Sequence, residues 1–146
     1  MKTIPLLFIV IAAALPAMAA LGDTIQSVEA DQKNFKAQMK STAVQNYMVE
    51  ELTRADGSTI KEYVSKGGQV FGVTWKGQVM PNLSQLLGTY FTEFQETVRT
   101  EPGRRKSAAV HHSDLVVVSA KQSRGFNGRA YVVSLLPSGL NPAVIQ

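Results

Sequence analysis

The chain has 146 residues, a formal net charge of +4 and no cysteine. This length fits a single domain, and the missing thiols exclude thiol catalysis, a thiolate metal site and a lipid-modified cysteine. The small charge surplus favours weak attraction to anionic surfaces and is not a nucleic-acid signature by itself.

The first residues have the organisation of a secretory signal peptide. Lys2 is a short positive start, residues 4–15 are an apolar run, and Ala17-Met18-Ala19 matches a small-x-small cleavage pattern. The run is shorter than the about 20 residues that a spanning helix needs. We predict a signal peptide at 1–19, a single domain at 20–146 and a periplasmic or secreted mature chain without a transmembrane segment. An uncleaved signal anchor is the alternative.

The first half of the mature chain predicts a helix followed by three strands. Apolar residues recur on one helical face from Ile25 to Met39. Asp56-Gly57 and Gly67-Gly68 are turn signals that separate the strand-like segments. These segments are residues 45–54, 59–65 and 69–76.

Trp75 is predicted to anchor the core. An even-numbered loop at the second turn places a set of apolar residues on one face of the sheet. These residues are Ile60, Val64, Phe71, Val73 and Trp75. The register of the first hairpin stays open, since one loop length adds Tyr47 and Val49 to this face and another adds Met48 and Leu52.

The second half of the mature chain predicts one strong helix and two further strands. Asn82 can cap the helix, and its apolar stripe runs from Leu83 to Val98. Residues 104–112 are predicted to form a polar loop, residues 115–118 and 129–136 the strands, and the tail to Gln146 to be loosely held.

The order α-β-β-β-α-β-β predicts an α+β fold of two layers. Short links between the strands imply an antiparallel sheet, here of about five strands, packed by the central amphipathic helix.

Glu62 is the strongest candidate for a functional acid. The alternation of side chains along the strand places Glu62 on the same face as the apolar residues. Glu50 and Glu51 lie on the neighbouring predicted strand. Paired carboxyl groups perform acid–base chemistry when burial separates their pKa values. A complete catalytic constellation is absent from the sequence, so we assign no catalytic residue.

The one basic concentration lies at the exit of the predicted central helix. It consists of Arg99, Arg104, Arg105 and Lys106. Cations at a helix C-terminus interact favourably with the helix dipole, which is the structural interpretation. The functional interpretation is contact with an anionic ligand, such as a phosphate-bearing envelope glycolipid or an acidic polymer.

Two other patterns carry little functional weight. His111-His112 with Asp114 lacks further ligands for a metal shell, so we expect neither a metal nor a cofactor. Residues 124–131 resemble an RNA-recognition strand only faintly, and we expect no nucleic-acid partner.

Several short segments spread over the mature chain form a specific combination. They are Asp56-Gly57, Glu62-Tyr63-Val64, residues 70–75, Gly77, Pro81-Asn82-Leu83, residues 86–91, residues 114–117 and residues 126–131. In this combination the chain resembles an exported proteobacterial family of unknown function, domain of unknown function 2844. The resemblance implies export from a Gram-negative cytoplasm and supplies no catalytic or binding residues.

The function that we expect is a non-catalytic periplasmic module that binds or supports another envelope component, either a protein or an anionic polymer. One alternative is a small exported enzyme that uses carboxylates near Glu62. The other is an anionic-ligand binder acting through the basic loop at residues 99–106.

Overall fold

The computed structural model describes residues 21–100 and 114–146 in full, and the backbone of residues 107–112. The α-helices are α1 (Ile25–Phe35), α2 (Leu83–Leu87) and α3 (Phe91–Thr100). The strands are β1 (Gln38–Ala43), β2 (Tyr47–Thr53), β3 (Thr59–Ser65), β4 (Val70–Gly77), β5 (Ser107–His112), β6 (Leu115–Gln122) and β7 (Gly125–Val132). They form one antiparallel sheet in the order β1-β2-β3-β4-β7-β6-β5.

The predicted α+β class with an antiparallel sheet is confirmed, but the sheet is wider than predicted. The described residues form seven strands, and the two that were not predicted from the sequence are the edge strands β1 and β5. Every residue of β1 is exposed, so its sequence lacks the alternation of a half-buried strand. β5 occupies residues that were predicted to form a polar loop.

The helices cover one side of the sheet, which we call the helical face. Trp75 is 2% exposed there and belongs to the same apolar cluster as Ile60, Val28 of α1 and Leu86 of α2. Burying a large apolar side chain stabilises a domain by roughly 1.5–3 kcal/mol, so this cluster is the main core. The prediction that Trp75 is a core residue is confirmed.

The predicted central helix is divided at Gly88. The Asn82 cap is confirmed, because its side-chain oxygen accepts hydrogen bonds from two main-chain nitrogens of the next turn, at 3.1 and 3.4 Å. Gly88 then takes a φ of 52°, a left-handed value that favours glycine, and a short 3-10 turn leads into α3.

The first hairpin adopts one of the two predicted registers. Its link spans residues 54–58, and β2 places Met48 opposite Val64 and Leu52 opposite Ile60. Leu52 and Val64 are both buried in the core. The pairing therefore puts Met48 and Leu52 on the helical face.

A bulge between β3 and β4 turns Phe71 away from the helices. The register shifts between Tyr63 and Val64, and an extra residue in one strand reverses the alternation beyond it. Phe71 packs with Tyr63, on the side of the sheet opposite Trp75. The prediction that Phe71 and Trp75 share a face is wrong for this reason.

The segment after β7 packs on part of that opposite side, which we call the open face. Ile145 is 0% exposed and contacts Tyr63 and Phe71. The absent side chain of Gly72 leaves it room, because a Cβ there would lie 3.0 Å from Ile145 Cδ1. A loosely held tail was predicted from the sequence, whereas in the structure its last residues pack against the sheet.

Candidate functional site

Glu62, the acid selected from the sequence, lies beneath the helices. Pairing of β2 with β3 places Glu50 opposite it, and α1 brings Asp31 to the same position. Asp31, Glu50 and Glu62 are 0%, 2% and 1% exposed. The fold thus gathers three carboxyl groups inside the helical face, and we call them the carboxyl cluster.

Neutral donors contact two members of the carboxyl cluster. Gln85 of α2 donates a hydrogen bond to Asp31, and Ser41 of β1 donates one to Glu50. No described residue donates a hydrogen bond to Glu62, whereas a protonated Glu62 can itself donate one to Asp31. Burial raises the pKa of Glu62 well above its usual value, and the charge and hydrogen bond of Asp31 act in the same direction.

A raised pKa is common in catalytic acids, but this site lacks access for a substrate. Glu62 is enclosed and lines none of the three clefts described below. Within the described residues, no three acidic or histidine side chains are arranged to hold a metal ion. The chemistry that this geometry supports is the sharing of a proton between α1 and the sheet.

A cleft of about 390 Å³ lies on the open face, beside the end of the tail, and we call it the cationic cleft. Lys61 of β3, Lys76 of β4 and Arg129 of β7 line it, and no Asp or Glu does. Thr74 pairs with Lys61 on one side and with Arg129 on the other. Neighbouring strands lie about 4.8 Å apart, so the main chains of these two cations are about 10 Å apart.

The end of the tail forms one wall of the cationic cleft. Lys61 Nζ donates to the main-chain oxygen of Gln146 at 3.3 Å, and Arg129 Nη1 donates to that of Ile145 at 3.4 Å. Both distances lie at or beyond the long end of the normal range for N–H···O bonds. These contacts therefore leave most of the hydrogen-bonding capacity of both cations available.

Acidic side chains approach the cationic cleft only at its margins. Glu51 is the cross-strand neighbour of Lys61 on the far side from Thr74, but the two form no ion pair. Lys76 and Arg129 likewise form no ion pair with any residue in the described part of the chain. The side chains that line the cleft consequently give it a positive potential.

The basic segment selected from the sequence lies elsewhere. Arg99 is exposed in the last turn of α3, where it lines a cleft of about 730 Å³ in the helical layer. Arg104, Arg105 and Lys106 lie outside the described residues, so the segment stays a prediction. The cationic cleft escapes a search for basic runs because its cations come from three strands. The sequence contained one indication of this cleft: in the alternation of its strand, Lys61 falls on the face opposite the apolar positions.

The comparison with known families covers nearly the whole chain. A family model described as "Protein of unknown function (DUF2844)" matches residues 17–145. The chain belongs to the DUF2844 family. The resemblance noted from the sequence is therefore confirmed. No curated protein and no solved structure matched this DUF2844 chain in the corresponding searches. In its described residues, no helix has both the length and the apolar character needed to cross a membrane.

Proposed function

We propose that this DUF2844 protein is a non-enzymatic binding module of the bacterial envelope and that its ligand is anionic. The observation that carries the proposal is the cationic cleft, which three cations line and no acid lines. An anion in this cleft would contact three cations that form no ion pair with an Asp or Glu side chain among the described residues. The envelope location rests on the predicted signal peptide at residues 1–19.

The cationic cleft suits phosphate and carboxylate groups. A guanidinium such as that of Arg129 binds either group through two parallel hydrogen bonds, and the lysines add mobile point charges. Thr59 and Asn127 line the same cleft and offer neutral donors and acceptors. The cleft is partly open to solvent, which fits binding of an exposed chain or headgroup better than enclosure of a small substrate.

The enzyme alternative at Glu62 has less support. A general acid must come within about 3 Å of the atom that it protonates, and the helices exclude solvent from Glu62. Catalysis there would require α1 to move away from the sheet. The alternative anion site at residues 99–106 differs from the cationic cleft in its location, so the two can be tested separately.

The test is retention on phosphocellulose across a salt gradient. We expect the purified mature protein to be retained at low salt and released as salt rises, since a Debye length of about 10 Å at 0.1 M screens exposed charges. A variant with Lys61→Gln, Lys76→Gln and Arg129→Gln should lose most of this retention. The matched control removes the same charge from exposed positions away from the cleft through Lys33→Gln, Lys36→Asn and Lys66→Gln.

Two results would contradict the proposal. Equal loss of retention in the matched control would mean that net charge alone is responsible. Loss only after neutralising Arg99, Arg104, Arg105 and Lys106 would move the anion site to the predicted basic segment. Circular dichroism and thermal melting of each variant confirm that the comparison is made between folded proteins.

A further inference from the structure

We propose that the ligand of the cationic cleft is an extended acidic polysaccharide, bound along a groove that continues past Lys76 to Arg124. This inference rests on the proposed function and names the ligand class of the same site. It depends on how two adjoining clefts are connected and on which groups line them.

The groove is longer than the cationic cleft alone. A second cleft of about 400 Å³ at the end of the sheet shares Thr59 and Lys76 with the first and adds Arg124. Arg129 and Arg124 are separated by five positions. β7 begins at Gly125, and at about 3.3 Å per extended residue the main chains of Arg129 and Arg124 lie up to roughly 16 Å apart.

A single small anion cannot use this whole length. An ion pair requires its charged atoms to approach within about 4 Å, so one phosphate or carboxylate reaches the cations at one end only. A ligand that contacts Arg129, Lys76 and Arg124 together must carry negative charges at intervals along a chain. The spacing therefore favours a polyanion over a monovalent headgroup.

Neutral polar groups lie between these cations. Thr59 and Asn127 line the first cleft, and Gln78 and Gln122 line the second. Hydroxyl and amide side chains donate and accept hydrogen bonds at the same time, as do the hydroxyl groups of a sugar. An alternation of cations with such groups matches a polymer in which carboxylates alternate with hydroxyls.

An acidic peptide fits this groove less well. Extended peptides gain affinity by adding a strand to a free sheet edge. The groove runs over β3, β4 and β7, each of which is paired with a strand on both sides. A peptide bound here could contact side chains but could not form main-chain hydrogen bonds with a free strand edge.

A single-stranded nucleic acid also fits less well. Such ligands gain much of their affinity by stacking bases on exposed aromatic rings. Phe126 is the aromatic residue that lines the second cleft, and Lys121 already lies over its ring, with Nζ 5.9 Å from the centroid. Trp75 lines the first cleft but is only 2% exposed, so the groove offers charge without a stacking platform.

An acid marks the far margin of the groove. Asp56 lines the second cleft, and its Oδ2 lies 3.9 Å from Nη1 of Arg54. The main-chain N–H of Ser58 lowers the pKa of Asp56, so this carboxylate stays ionised and repels a polyanion. The favourable path is thus the side of the groove lined by Lys76 and Arg124.

The experiment is isothermal titration calorimetry of the mature protein with oligogalacturonates from monomer to hexamer. We expect affinity to rise by about tenfold or more between monomer and tetramer as successive cations are engaged. Arg124→Gln should weaken hexamer binding by roughly twofold to fivefold, within the range for an exposed ion pair, and leave monomer binding unchanged. The matched control is Lys66→Gln, an exposed lysine at the opposite end of β3.

Several outcomes would overturn the inference while leaving the proposed function intact. One is an affinity that does not depend on oligomer length, with no effect of Arg124→Gln. Another is tighter binding of oligoaspartate, or of an oligodeoxythymidylate of equal charge, than of the hexamer. Failure of every anionic probe, inorganic phosphate included, would instead overturn the proposed function itself.

Discussion

Asp31 on α1 and Glu62 on β3 bring two carboxyl groups together in a site closed to solvent, where a hydrogen bond with Asp31 contributes to the raised pKa of Glu62. Two ionised carboxylates can only accept hydrogen bonds, so this bond requires a proton. Glu50 adds a third carboxyl group, whose charge raises the pKa of Glu62 further. The contact between α1 and the sheet therefore depends on protonation.

This contact predicts that stability decreases as pH rises. Folding raises the pKa of Glu62 above its ordinary value of 4.5, so the native protein binds this proton more tightly than the unfolded chain. The stabilisation is fully present below that ordinary value and is lost as pH rises through the raised pKa of the folded state. Glu62→Gln keeps a neutral donor at the site. We expect it to flatten the pH profile and to stabilise the protein at mildly alkaline pH by about 1–3 kcal/mol.

The measurement is urea unfolding of both proteins across the acidic to mildly alkaline range. Glu51→Gln is the matched control, because it removes the same charge from the adjacent position on β2, which is partly exposed. Parallel pH profiles for wild type and Glu62→Gln would show that Glu62 does not control this dependence.

Replacing Trp75 should unfold much of the core. Trp75→Ala is expected to cost about 3–5 kcal/mol, as other large truncations in cores do. Trp75 is the single tryptophan of the chain, so its fluorescence reports this site alone. We expect blue-shifted emission that acrylamide quenches poorly in the native protein. Red emission, together with an alanine variant that melts like wild type, would contradict the core assignment.

Gly128 is expected to tolerate no side chain. A Cβ at this position would lie 2.2 Å from Trp75 Cζ2 and 2.7 Å from the main-chain oxygen of Val118. Gly128→Ala should therefore destabilise the protein by about 1–3 kcal/mol through overpacking. Gly67→Ala is the control, since a Cβ there meets only Ser65 Oγ at 3.7 Å. Equal melting temperatures for the two variants would contradict the close approach of Trp75.

The tail should loosen when the hydroxyl of Tyr63 is removed. This hydroxyl donates to Gln146 O at 2.8 Å and accepts from Gln146 N at 3.1 Å. Tyr63→Phe should cost about 1–2 kcal/mol, at roughly 0.5–1.5 kcal/mol per bond, and should speed amide hydrogen exchange at Ile145. Tyr131→Phe is the control, because its hydroxyl bonds to no described residue. Unchanged exchange in Tyr63→Phe would show that apolar packing alone holds the tail.

Export should remove the first residues of the chain. The pattern at Ala17-Met18-Ala19 predicts cleavage after Ala19, so N-terminal sequencing of protein from the periplasmic fraction should begin at Ala20. Recovery of chains that retain Met1 in a soluble cytoplasmic fraction would contradict the prediction.

Several parts of the fold were predictable because they depend on local chemistry. Asn82 caps α2 through bonds to its own next turn. The alternation around Trp75 marks a strand with one buried face, and the α+β class follows from the order of such elements. β1 escaped prediction because an exposed edge strand has no buried face to impose a pattern on its residues.

The sequence by itself determined the α+β class, the five inner strands, the core role of Trp75 and the membership in the DUF2844 family. Only the tertiary structure decided which distant side chains meet. A bulge after Tyr63 reversed the face of Phe71, and pairing of β3, β4 and β7 brought Lys61 and Arg129 to one cleft. Contacts between distant side chains depend on strand register, and register is set by the global packing of the sheet rather than by any local run of residues.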